Sequence, residues 1–198
     1  MIRKILLILP FIFTFNYAGV NLIKPIIQVG FNSGGDELVT ITHDYYNEAY
    51  TIDAGDGINL EMGMAIENHI NNFETQFLIG YKFDSDNNGD TTWSMIPISA
   101  LAFINAQGWK FGGGLTYHIN PSLEGSLTSD GSLLRDDFDG ALGGIIQIQY
   151  EMANTFAIGL RGTFIEYQLS RDPSQTANGN SIGLVATVKF GGTRSRYR

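Results

Sequence analysis

The 198-residue sequence contains no cysteine. That excludes a disulfide scaffold, a thiolate metal site and the acylated cysteine of a lipoprotein. Charge is also scarce, at 16% of residues against a usual share of about 25%. Bases are scarcer than acids, 12 Lys and Arg against 20 Asp and Glu, for a formal net charge of −8. Binding a nucleic acid requires clustered cations to neutralise phosphates. Only the terminal TRSRYR, with Arg194, Arg196 and Arg198, supplies a cluster, so a nucleic-acid partner is excluded. Beyond residue 19 no run reaches the roughly 18 apolar residues of a transmembrane helix. No apolar stripe repeats every 3.6 residues either, so almost no helix is expected. If such a chain enters a membrane it does so as a closed barrel, because only helices and closed barrels satisfy their own backbone groups in lipid.

What is present begins with a leader. Arg3 and Lys4 form a positive start, residues 5–15 an apolar stretch interrupted by Pro10, and Tyr17-Ala18-Gly19 a set of residues near a cut. This pattern predicts a secretory signal over 1–19, a membrane domain over 20–192 and a basic tail over 193–198. Losing Arg3 and Lys4 takes the mature chain from −8 to −10.

The rest alternates between runs of period two, the mark of strands, and patches of Asp, Asn, Gly, Ser and Thr, the mark of turns. In 56–67, Ile58, Leu60, Met62, Met64 and Ile66 oppose Asn59, Glu61, Gly63, Ala65 and Glu67. In 73–83, Phe73, Phe77, Ile79, Tyr81 and Phe83 oppose Glu74, Gln76, Gly80 and Lys82. In 109–118, Trp109, Phe111, Leu115 and Tyr117 oppose Lys110, Gly112, Gly114, Thr116 and His118. The segments 144–151, 156–164 and 181–190 repeat the pattern, with Glu151, Arg161 and Lys189 in the polar phase. Two strands are weaker: 25–41, with a bulge expected at Gly34-Gly35, and 92–103, apolar on both faces and containing Pro97. The expectation is an all-β, eight-stranded, antiparallel up-and-down transmembrane barrel. Connections 42–53, 84–91, 119–138 and 168–179 are long and polar, whereas 68–72, 104–108 and 152–154 are short. Outer-membrane barrels have short periplasmic turns and long extracellular loops, so both mature termini are expected in the periplasm.

A soluble eight-stranded barrel would place its apolar set inside. Three features favour the reverse. Glycine shares a phase with charge, as suits a narrow interior. Aromatics gather near strand ends as two girdles, Phe73, Phe103, Trp109, Tyr150, Phe156 and Phe190 at one rim and Tyr81, Phe83, Trp93, Tyr117 and Tyr167 at the other. The polar phase carries both signs, Glu61, Glu67, Glu74 and Glu151 against Lys82, Lys110, Arg161 and Lys189, which predicts a paired lumen network. Arg161 is expected to find Glu61 first, or Glu74.

WKFGGGLTYHINP, AIGLRGTFIEYQL and SIGLVATVKF resemble the small outer-membrane barrels of the OmpA-type and OmpW-like groups over nearly all of the mature chain. The resemblance implies outer-membrane lipids, lipopolysaccharide and the barrel-assembly machinery as partners. It also implies that Val188 and Phe190 resemble the terminal signal read by that machinery. The chain departs from the pattern by continuing through GGTRSRYR. The peptidoglycan-binding domain that follows some OmpA-type barrels is not expected here.

Catalytic signals are weak. Of three histidines, His43 and His69 lie in connections and His118 at a strand end. The lipid A deacylase type resembles a His-x-Ser pattern, but Asn120 stands where the Ser is required. Asp84, Asp86, Asn88 and Gly89 match the start of a calcium loop, but Met95 occupies the position of the bidentate Glu. Gly112 to Gly114 lack the Lys-Ser/Thr and helix of a phosphate loop. Asp130, Asp136 and Asp137 read as a solvated loop. No catalytic residue, metal or cofactor is assigned. The expected role is structural or surface interaction, with a plugged lumen and an unnamed extracellular ligand. The alternatives are a narrow porin-like channel and a lipid A-modifying enzyme.

Overall fold

The computed structural model describes residues 21–43, 48–68, 70, 72–85, 91–126 and 133–191. The expected leader and basic tail, His69, Asp86, Asn88, Gly89 and Asp130 lie outside them. The described strands are β1 (Asn21–Ser33), β2 (Glu37–His43), β3 (Glu48–Asp53), β4 (Gly57–Asn68), β5 (Phe73–Ser85), β6 (Thr91–Ala106) and β7 (Trp109–Ser126). They continue with β8 (Leu133–Asp137), β9 (Ala141–Ala153), β10 (Phe156–Phe164), β11 (Glu166–Leu169), β12 (Asp172–Asn178) and β13 (Ser181–Lys189).

Eight of these close a barrel in the order β1, β4, β5, β6, β7, β9, β10, β13, with β13 antiparallel to β1. The other five build the end that carries the long connections: hairpins β2–β3 and β11–β12, and β8 paired to an extension of β7. The connections 42–53, 119–138 and 168–179 therefore contain paired strands in place of the irregular loops expected from their polarity. In 119–138 the upper part of β7 and β8 pair from Ser122↔Asp137 to Ser126↔Leu133. The expected single strand 25–41 also breaks in two. Gly34 and Gly35 adopt φ of 130° and 96°, and a Cβ on Gly35 would lie 2.5 Å from the Gly55 nitrogen. The hairpins are stitched together by backbone bonds, Asp36 N to Asn178 O at 2.7 Å and Asp139 N to Gln168 O at 2.9 Å.

At the opposite end the turn between β6 and β7 is tight. Gln107 and Gly108 both have positive φ, as the two central residues of a type I′ hairpin turn require. Pro97 interrupts the β5–β6 ladder between Ile79↔Ile98 and Lys82↔Met95, since it has no donor to offer.

Side chains alternate in and out along every barrel strand. The apolar phase is outside: Met62, Ile146 and Leu184 are 57%, 59% and 64% exposed. The charged phase is inside, with Glu61 and Lys110 both at 0%.

Candidate functional site in the barrel lumen

Period-two alternation aims one residue in two at the barrel axis, and the axis is filled in layers. At the short-turn end six side chains from six barrel strands meet. Lys189 Nζ donates to Glu67 at 2.7 Å and to Glu74 and Glu151 at 2.9 Å each. Lys24 binds Glu67 at 2.8 Å, and Lys110 binds both Glu74 and Glu151, the latter at 3.0 Å. The ladder explains why a cation sits here. Glu67 and Glu74 are directly opposed across β4 and β5, a juxtaposition of like charges that destabilises a sheet. Glu67, Glu74 and Glu151 bring oxygens within 4.8 Å of one another, as a metal site would. Here the Lys189 ammonium already stands between them, so the charge is met without an ion.

The next layer is mixed. Ile26, Ala65, Leu78, Leu101, Phe103 and Ile145 pack together, and Gln149 Nε2 donates to Thr187 at 2.7 Å. Above it lies a second ionic layer. Arg161 donates through Nη1 to Glu61 at 2.6 Å and through Nε to Gln147 at 2.7 Å. Asn59 donates to the same Glu61 oxygen at 2.9 Å. Lys82 is buried here, and its ammonium donates to the Gly55 carbonyl at 2.6 Å.

The long-loop mouth is closed by an apolar and aromatic cap of Ile52, Trp93, Met95, Leu123, Ile165 and Tyr167. Trp93 packs edge-on to Phe138 and Tyr167 and donates to the Ala54 carbonyl at 3.0 Å. The Tyr167 hydroxyl meets His118 Nδ1 at 2.7 Å and Met95 Sδ at 3.3 Å. Burial raises the Tyr167 phenol above its ordinary value. In the β2–β3 hairpin, burial raises Asp53, with the carboxylates of Asp56, Glu37, Asp84 and Asp36 adding to the effect.

All eight charged residues expected in the lumen point into it. Seven are buried, and Glu151, whose side chain is 25% exposed, faces the short-turn opening. Lys82 meets a carbonyl where a carboxylate was expected. The aromatic expectations divide. Tyr81, Phe83, Trp109, Tyr117, Tyr150, Phe156 and Phe190 are exposed on the outer wall, and Phe73 is half-buried there. Trp93, Phe103 and Tyr167 are not girdle residues; each is 0% exposed. The phase of β6 was ambiguous because both its faces are apolar. Phe103 turns inward over Gly112, where any Cβ would strike its ring at 2.5 Å. Tyr167 is carried inward by its hairpin. Val188 and Phe190 lie on the outer wall, and Phe190 N bonds the Pro25 carbonyl at 2.8 Å. Lys24 was missed, although it shares the phase of Gln28 and Gly30. The amides of Gln28, Gln76, Gln147 and Gln149, all buried, were legible in the same way.

No protein-family model and no curated protein matches the chain. Among solved structures it is similar to Ail, the attachment invasion locus protein of Yersinia pestis, in complex with the heparin analogue sucrose octasulfate. The TM-score is 0.53 at 11% identity, covering 87% of this chain and 99% of that one. It is also similar to Neisserial surface protein A, NspA, with a TM-score of 0.45 at 11% identity, covering 86% of this chain and 99% of that one. The likeness to Ail is one of fold, an eight-stranded antiparallel barrel.

Proposed function

We propose that this chain is an outer-membrane barrel with a structural or surface-interaction role, its lumen closed by paired charges. The observation that carries the reading is the inversion of the barrel: an apolar wall exposed all round and a charged interior. A soluble protein rarely exposes so large a continuous apolar surface, whereas lipid requires one. On this reading the exposed Tyr81 and Phe83 mark one interface and Trp109 and Tyr150 the other. The hairpin end faces outward, and both mature termini face the periplasm. Outer-membrane lipids and lipopolysaccharide contact the wall, and the barrel-assembly machinery reads Val188 and Phe190. Phe190→Ala then lowers the folded yield in cells, whereas removal of residues 193–198 has a smaller effect.

The partner of the outer end differs in charge from the one Ail holds. Asp36, Glu37, Asp53, Asp56, Glu124, Asp137, Glu166 and Asp172 surround the hairpins, against Arg135 and Arg171. That surface repels a sulfated polyanion and favours a basic partner.

Fractionation followed by gel migration with and without heating tests the location: the protein is expected in the outer membrane with a heat-dependent shift. Recovery from the cytoplasm or the inner membrane would sink the reading. Planar-bilayer recording tests closure, with no steady conductance expected; discrete channel steps would establish the porin-like alternative. Mass spectrometry of lipid A, with and without the gene, is expected to show no change; an altered acyl pattern would establish the enzyme.

A further inference from the structure

Above the Glu61–Arg161 pair the lumen keeps a small chamber of about 20 Å³, lined in part by Asn59, Glu61, Lys82, Thr116, His118 and Arg161. A polar void needs about 10–15 Å³ to hold one water-sized occupant, so this one admits a single small guest. Its lining carries two cationic side chains, Lys82 and Arg161, against a single carboxylate, Glu61. Arg161 Nη2 is buried without a hydrogen-bond partner. The Lys82 ammonium spends one proton on Gly55 and forms no ion pair among the described residues. The Glu61 carboxylate accepts from Arg161 Nη1 and Asn59 through Oε2 and from the Ser99 hydroxyl at 3.4 Å through Oε1. The Asn59 carbonyl accepts from Asn32, and the Gln147 carbonyl from Arg161 Nε.

Two cations face one anion across the chamber. Asp56 and Asp84 act on Lys82 through space, but neither belongs to the lining. A guest that accepts and carries negative charge answers the unmet Arg161 donor and the second cation together, because a buried donor left unmet is costly. Water would accept from Arg161 but brings no charge to balance the second cation. Phosphate and sulfate are too large for the space. We propose that the chamber is a binding site for one halide-sized monovalent anion, chloride or its equivalent, held between Arg161 Nη2 and Lys82 Nζ. The site requires only the closed lumen and does not depend on the membrane reading.

The test uses the full chain refolded in detergent with sodium bromide as the salt. Crystals measured at the bromine absorption edge are expected to show an anomalous peak in the chamber beside Arg161. Lys82→Met, which removes a cation and keeps the length, is expected to retain the heat-dependent gel shift and lose the peak. In solution the wild-type unfolding midpoint is expected to be higher in bromide than in gluconate at equal ionic strength, and the difference to vanish in Lys82→Met. Density without an anomalous signal, an ordered water only, overturns the proposal, and so do equal wild-type midpoints in the two salts. If Lys82→Met does not refold, the wild-type map decides.

Discussion

At the short-turn end three lysines and three glutamates fill the lumen, each from a different barrel strand. At the long-loop end Trp93, Tyr167, Ile52 and Leu123 fill it, and two of these four arrive on hairpins that lie outside the barrel wall. The ionic plug is therefore made by the staves themselves, whereas the aromatic cap requires the hairpins to fold back over the mouth. One closure ties strands around the circumference. The other ties the outer hairpins to the barrel, through Trp93 to Ala54 and Tyr167 to His118. Buried ion pairs add little net stability over an apolar replacement, but removing one partner is expensive. Apolar caps fail by leaving a cavity.

The largest expected effect breaks the ionic end. Lys189→Ala leaves Glu67, Glu74 and Glu151 one cation short, with only Lys24 and Lys110 still bound to them, and is expected to cost about 3–5 kcal/mol. Urea unfolding followed by gel migration reads it; a small loss would mean that water reaches the site. Arg161→Ala, at the second ionic layer, is expected to fall at the lower end of the same range, about 3 kcal/mol, if Glu61 stays buried. Asn59 still donates to that carboxylate, which softens the loss. Trp93→Ala opens the aromatic end and is expected to cost about 3 kcal/mol from cavity formation. Its signature is location: limited proteolysis of β2–β3 and β11–β12 accelerates, while the short-turn end stays resistant. Equal protection of both ends would show that the hairpins hold without the cap.

The smallest expected effect is one of pH at the hairpin end. Asp53 is raised in the folded hairpin by burial and by neighbouring carboxylates. The folded hairpin therefore holds the proton more tightly than the open chain does. Its contribution is most favourable at low pH and is lost as pH rises from the ordinary aspartate value of 3.8 through the raised folded value. Backbone hydrogen exchange around Ile52 and Ala54, corrected for its intrinsic pH dependence, is expected to quicken between pH 4 and pH 7. Asp53→Asn is expected to flatten that change; a wild-type hairpin insensitive to pH contradicts it.

Much of the lumen was legible because charge and bulk alternate strongly in β4, β5, β7, β9, β10 and β13. A strand with one polar and one apolar face has its phase written in it. Glu61, Glu67, Glu74, Lys82, Lys110, Glu151, Arg161 and Lys189 follow from that contrast, and Arg161 reaches Glu61, the first carboxylate expected for it. In β6 the contrast is missing, and Trp93 and Phe103 were placed on the wrong face. The information lay in the neighbouring strand, where Gly112 leaves room for the Phe103 ring inside.

The barrel, its eight staves and the inversion of its faces are written in the order of the amino acids, because each is a property of local period-two patterning and of alternating connection lengths. What closes each end emerges only once the chain has folded. Lys24, Glu67 and Lys189 meet because closure of the sheet sets β1, β4 and β13 side by side. Tyr167 reaches His118, 49 positions earlier, because its hairpin folds over the mouth. Strand phase is written one residue at a time, whereas contact across a lumen depends on register and shear around the whole ring.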